Sequence, residues 1–167
     1  MRFDNKKVLV TGASRGIGRA VARQFASAGA QVAVHCRTNQ EAARDTLASL
    51  EGTGHVLCAG DLADASTAQR IVTEVITSLG GLDILVNNAG IFEAHPIDEV
   101  SFAKWQTAWQ RTLAVNLVGP ANLCWCAVEH MREHGGGRIV NVSSRGAFRG
   151  EPRCPAYGAS KAGLNAM

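Results

Sequence analysis

Two stretches of this chain combine residue types that could do chemistry. The first is Tyr157-Gly-Ala-Ser-Lys161, a phenol and an ammonium at i and i+4. If the stretch is helical, the two share one face, a turn apart. A free phenol titrates near pH ~10, too high for proton transfer at neutrality. A neighbouring cation favours the phenolate and brings the group closer to what general acid–base catalysis needs. An ordinary surface pair would have the same spacing. The second stretch is Thr11-Gly12-Ala13-Ser14-Arg15-Gly16-Ile17-Gly18, which ends the apolar run 8–10. It opens into a helical pattern with Ile17, Val21 and Phe25 in register. Glycine permits tight turns and close approach of the backbone to a ligand. A helix amino end offers free N–H groups and partial positive charge, so a pyrophosphate fits there. The spacing is Gly-x-x-x-Gly-x-Gly, not the commoner Gly-x-Gly-x-x-Gly. A turn that only lets helix and sheet pack closely would also use these glycines.

The elements needed to position both stretches are legible. Strands are expected over residues 6–10, 31–36, 55–59, 82–87 and 138–143. Helices are expected over 15–28, 40–50 and 64–78, with Gly29 as a carboxyl-terminal glycine and Asp64 as an N-cap. Ser101 caps a long helical region running to about residue 134, and Pro120 is expected to kink it into two segments near Gly119. A last helix starts near Pro155. Alternating strands and helices imply a doubly wound parallel sheet of the Rossmann type, a single dinucleotide-binding domain over 1–167. In such sheets ligands bind beyond the carboxyl ends of the strands. The 12–18 turn, Asp61, Asn88-Ala89-Gly90 and Ser144 all fall there.

Bulk properties narrow the function. Hydrophobic residues make up 46% and charged residues 19% of 167, which is globular composition. No apolar run reaches the length of a membrane span. The opening residues lead into a strand without a secretory leader pattern, so a cytoplasmic protein is expected. The net charge of +3 is too small to argue for nucleic acid. The five cysteines contain no Cys-x-x-Cys pair and read as reduced thiols. Arg138, Arg145, Arg149 and Arg153 fall close together, as a solvated loop or beside an anionic ligand. His130-Met-Arg-Glu133-His134 matches an inverted zinc-protease string without an evident third ligand. Histidines and Arg132 there also complement a helix carboxyl end, and no metal is expected. Trp105, Trp109 and Leu113 form a packing stripe or a subunit contact.

Taken together, the motifs resemble the classical short-chain dehydrogenase/reductase family. They are Thr11-Gly12-x-x-x-Gly16-Ile17-Gly18, Asp61-Leu62, Asn87-Asn88-Ala89-Gly90, Asn116, Ser143-Ser144 and Tyr157-x-x-x-Lys161. They stand in the family's order and spacing along the whole chain. The resemblance implies a catalytic set of Asn116, Ser144, Tyr157 and Lys161. Tyr157 would exchange the proton with the substrate oxygen, and Ser144 would hold that oxygen. Lys161 would bind the nicotinamide ribose and favour the phenolate, and Tyr157 would also contact the cofactor. Asn116 would anchor a water linked to Lys161. Gly12, Ser14, Arg15, Gly16, Ile17 and Gly18 would cradle the pyrophosphate. Asp61 and Leu62 would receive the adenine, while Asn88, Ala89 and Gly90 pass the adenosine ribose. Asn87 would tie the sheet together.

The resemblance is strongest to 3-oxoacyl-acyl-carrier-protein reductases, through Thr-Gly-Ala-Ser-Arg-Gly-Ile-Gly-Arg-Ala and Ala-Tyr-Gly-Ala-Ser-Lys-Ala-Gly-Leu. The implied substrates are small ketones and alcohols or acyl thioesters, acted on by a homo-oligomer. NADP(H) is expected over NAD(H). The second strand ends His35-Cys36-Arg37 without the acid that binds a ribose 2′-hydroxyl. Arg15 and Arg37 suit a 2′-phosphate. The family's chain usually continues past residue 167, adding two strands and the segment over the substrate. A truncated, non-catalytic dinucleotide-fold fragment is therefore the rival reading, and a recorded part of a longer enzyme is a third.

Overall fold

The computed structural model describes residues 2–167. Short apolar runs build one parallel sheet from β1 (Lys7–Val10), β2 (Gln31–Cys36), β3 (Val56–Ala59), β4 (Ile84–Asn87) and β5 (Arg138–Asn141). Their order is β3-β2-β1-β4-β5. Side chains alternate across the sheet, and both faces are covered at β1, β2 and β4. Val8, Val10, Val32, Val34 and Val86 pack against α1 (Gly16–Ser27) and α2 (Gln40–Ala48). Leu9, Ala33 and Leu85 pack against α3 (Ala65–Leu79) and α5 (Gly119–Glu133). Burial on both faces is why the strands read as continuous apolar runs rather than alternating ones.

The helix ends follow local chemistry. Asp64 accepts from the Ser66 N–H at 2.9 Å, and Ser101 Oγ accepts from the Lys104 N–H at 3.3 Å. Gly29 closes α1 at φ +96°, a conformation that favours glycine. The long helical region divides into two α segments near Gly119, as expected, and the divide takes the form of a π segment: α4 (Phe102–Leu113) passes through Ala114–Val118 into α5. Pro120 has no N–H to return to the Asn116 carbonyl, and the register slips instead, with Gly119 N–H donating to Ala114 O. Gly119 is required by a close approach, since a Cβ there would lie 2.6 Å from Leu62 O.

β5 is shorter than expected and leads to an unanticipated short helix, α6 (Gly146–Arg149), before α7 (Pro155–Ala166). Of the four arginines, Arg138 lies on another element than Arg145, Arg149 and Arg153. Arg138 lies at the amino end of β5, away from the strand ends that face the cleft. Arg145 faces Glu151 at 3.9 Å, and Arg153 makes two bonds to Glu99 at 2.7 and 2.9 Å.

Candidate active site

β1 and β4 are sheet neighbours although β2 follows β1 in the chain, so successive connections leave this point in opposite directions. A cleft of about 550 Å³ opens beyond their carboxyl ends. Gly12, Ser14, Arg15, Gly16 and Ile17 form one wall. Arg37, Asp61 and Leu62 line the side under β2 and β3, and Asn88, Ala89 and Gly90 line the side under β4. The structure thus brings together every nucleotide-contact residue expected from the sequence except Gly18, Tyr157 and Lys161, which lie outside the lining. Ile91, Glu93, Thr38 and Val115 join the lining without having been expected.

The glycines divide their work. Gly12 and Gly16 have φ of +64° and +58°. A Cβ on Gly16 would meet nothing within 4 Å, so this glycine faces open space. A Cβ on Gly18 would sit 2.5 Å from both Gly12 O and Asn88 Nδ2, so Gly18 lets α1 dock onto the turn. Packing and ligand approach are therefore both served by one motif. Arg15 caps α1 without a side-chain bond, which leaves the first N–H groups of that helix for an anion.

Polar side chains hold this turn in place. Thr11 Oγ1 accepts from the Asn88 and Ala89 N–H groups at 2.9 and 3.0 Å, and donates to Val86 O. Asn88 Nδ2 donates back to Thr11 O at 2.8 Å. Arg19 binds Ser14 O and Thr46 Oγ1. Buried His35 bridges the turn to the end of β3: Nδ1 accepts from the Gly12 N–H and Nε2 donates to Gly60 O. Burial holds its pKa down at about 4, so it is a neutral strut. No spacing rule marks His35 or Arg19, since their partners lie on other elements. Asn87 Nδ2 donates to Asn141 Oδ1 at 2.9 Å, which laces β4 to β5.

α7 brings in the phenol and the ammonium. Lys161 is 4% exposed, and burial lowers its pKa. Its Nζ donates to Val142 O at 2.8 Å and lies 5.9 Å from the centre of the Tyr157 ring. A Cβ on Gly90 would be 3.8 Å from this Nζ, so the ammonium borders the cleft wall. Phe92 packs its ring edge-to-face on Tyr157 at 4.8 Å. Gly158 passes so close to the α6 loop that a Cβ there would meet Gly146 O at 3.2 Å. That contact draws the Ser144 loop toward α7, and Ser144 Oγ accepts from the Gly146 N–H.

Asn116 is fully buried in the π segment. Its Oδ1 accepts from the Ile91 N–H at 2.8 Å, while Nδ2 donates to Ile91 O and Ser160 Oγ. Both amide protons are used, so a water linked to Lys161 would meet a carbonyl oxygen here. At the end of α5, His130 Nε2 accepts from the Leu82 N–H and His134 Nδ1 donates to His130 O. Their rings stack at 4.0 Å and close the helix end. Trp105 and Trp109 pack together at 5.7 Å along α4.

A parallel sheet of order β3-β2-β1-β4-β5 with a glycine turn at its switch point defines a Rossmann-type α/β fold. The family described as short chain dehydrogenase matches residues 6–167, and the chain belongs to it. A D-threitol dehydrogenase of Mycolicibacterium smegmatis is 40% identical over 98% of this chain and 62% of its own length. A sorbitol dehydrogenase of Cereibacter sphaeroides is 38% identical over 98% and 62%. A solved structure from Sinorhizobium meliloti 1021, assigned to the short-chain alcohol dehydrogenases, superposes with a TM-score of 0.90 at 40% identity. That match covers 99% of this chain and 64% of the other. The chain thus spans somewhat less than two thirds of the length of these relatives. None of these relatives is named as a 3-oxoacyl reductase. Among the described residues, no helix is long and apolar enough to cross a membrane.

Proposed function

We propose that this chain forms the dinucleotide-binding and catalytic part of an NADP(H)-dependent oxidoreductase that interconverts a ketone and a secondary alcohol. The observation that supports it most is the Lys161 ammonium at the Gly90 wall of the cleft, 5.9 Å from the centre of the Tyr157 ring. The residues present suit a dinucleotide: uncapped N–H groups at the amino end of α1, a positive-φ glycine, Gly16, facing open space, and a carboxylate at Asp61 for an amino group. The nicotinamide, when bound, exchanges the hydride with the substrate carbon.

Every other step belongs to this chain's residues. In reduction, the Tyr157 hydroxyl gives its proton to the carbonyl oxygen; in oxidation, the phenolate takes it from the alcohol. Ser144 holds that oxygen. Lys161 has three N–H donors, of which Val142 O takes one, leaving donors for ribose hydroxyls. Among the described residues, neither Arg15 nor Arg37 is within ion-pair distance of a carboxylate, and both line the cleft. Two free guanidinium groups and no acid at the end of β2 favour a 2′-phosphate, hence NADP(H).

For the substrate, the sequence strings around Gly12 and Tyr157 favour a 3-oxoacyl thioester. The relatives' names favour a polyol or sugar instead. We place the protein in the cytoplasm as a homo-oligomer, with exposed Trp125 and Val128 of α5 in the subunit contact. The natural-length protein should bind NADPH more tightly than NADH. It should also lose nearly all turnover as Tyr157→Phe while keeping its cofactor affinity. Equal or tighter NADH binding overturns the cofactor assignment, and an active Tyr157→Phe overturns the acid–base assignment. Cofactor binding without turnover of any ketone, thioester or polyol would mark a non-catalytic dinucleotide-fold protein.

A further inference from the structure

We propose that His95 is a positioning residue for Tyr157, a neutral imidazole that supplies the amino-terminal cap the Tyr157 helix lacks. This rests on the acid–base reading of Tyr157. The N-cap residue of α7, Cys154, makes no side-chain cap bond, and Pro155 has no N–H to offer. The first N–H that needs an acceptor is that of Ala156, immediately before Tyr157. It donates to His95 Nε2 at 3.2 Å, across 61 positions of sequence. A backbone N–H only donates, so Nε2 is the acceptor and the ring proton sits on Nδ1. Nδ1 then donates to Glu93 O at 2.8 Å, which settles the tautomer.

His95 is 1% exposed. Its own N–H donates to Arg153 O at 2.8 Å, and Arg153 is held by Glu99 through both terminal guanidinium nitrogens. Trp105 of α4 packs edge-on against the imidazole at 5.6 Å. The segment 92–95 therefore meets the phenol from two directions, through the Phe92 ring and through the cap on Ala156. Because Glu93 also lines the cleft, one loop sets both the nucleotide wall and the start of the catalytic helix. An apolar side chain would fill the same space but leave the Ala156 N–H without an acceptor.

The test uses the natural-length protein with NADPH and diacetyl. A misplacement of about one ångström costs on the order of 100-fold in rate, so His95→Ala should lower kcat by roughly 10- to 100-fold. Its NADPH Kd should rise by less than kcat falls, because the glycine turn is untouched while the Glu93 wall and Lys161 shift with the loop and α7. His95→Gln restores an acceptor near Nε2 and should recover most of kcat, whereas His95→Leu fills the space and should not. Amide hydrogen exchange at Ala156 should be faster in the Ala and Leu variants and slow in Gln, a readout independent of turnover. If the alanine variant does not fold, the Gln and Leu pair and the Nδ1–H tautomer by nitrogen NMR decide. Equal kcat in Gln and Leu, a protonated Nε2, or unchanged Ala156 exchange in Leu overturns the proposal. An active Tyr157→Phe measured alongside would fail the acid–base reading instead.

Discussion

Acidification should weaken the nucleotide side of this fold through one side chain. His35 is 2% exposed, with Nδ1 accepting from the Gly12 N–H at 3.1 Å and Nε2 donating to Gly60 O at 3.0 Å. An imidazolium has no lone pair for the Gly12 N–H, and burial holds the folded-state pKa at about 4. In the unfolded chain the same ring takes its proton at about pH 6.5. Between those values the unfolded state binds the extra proton, so stability falls as pH falls. The contribution is complete above about pH 6.5, drains toward about pH 4 and is level below that. The whole step is on the order of 3 kcal/mol, of which about 2.5 kcal/mol is gone by about pH 4.5.

The informative perturbation is His35→Gln. Its amide can accept and donate in the same directions but does not titrate. Imperfect bonds should cost the variant about 1 kcal/mol at neutral pH. Urea midpoints followed from neutrality down to about pH 4.5 should then fall more steeply for the wild type, and the two curves should cross. His130, also held below its usual value by burial, is common to both proteins and cancels. Parallel curves would refute the neutral-strut argument.

Two further outcomes follow from the geometry. Gly18→Ala puts a methyl 2.5 Å from Gly12 O and Asn88 Nδ2, so the turn must move. It should lose about 1–3 kcal/mol of stability and at least about tenfold in NADPH affinity, read by thermal melting and fluorescence titration. Unchanged affinity would show that the turn does not hold the nucleotide. Expressed alone, residues 1–167 present β5 as a sheet edge, with Val140 47% exposed. Such an edge invites pairing with other chains, so sedimentation should show self-association. A stable monomer would count against it.

Much of this architecture is written in spacings of a few residues. Apolar runs bounded by glycines mark the strands, Asp64 and Ser101 mark helix starts, and Tyr157 and Lys161 come to one helix because i and i+4 always do. The 12–18 turn is legible for the same reason: its backbone demands glycine locally. What escapes such reading joins residues far apart. His35 is a polar interruption in an apolar strand until Gly12 and Gly60, 23 and 25 positions away, close around it and exclude water. His95 has no motif at all; it acquires a role when the sheet order β3-β2-β1-β4-β5 sets the β4 loop against α7. Pro120 predicts a break by its own chemistry, but the form of that break, a π segment with Gly119 against Leu62 and Asn116 bonded to Ile91, shows only in the structure. Local geometry is encoded by neighbours in sequence. Burial, tautomer and dielectric depend on which distant elements pack together.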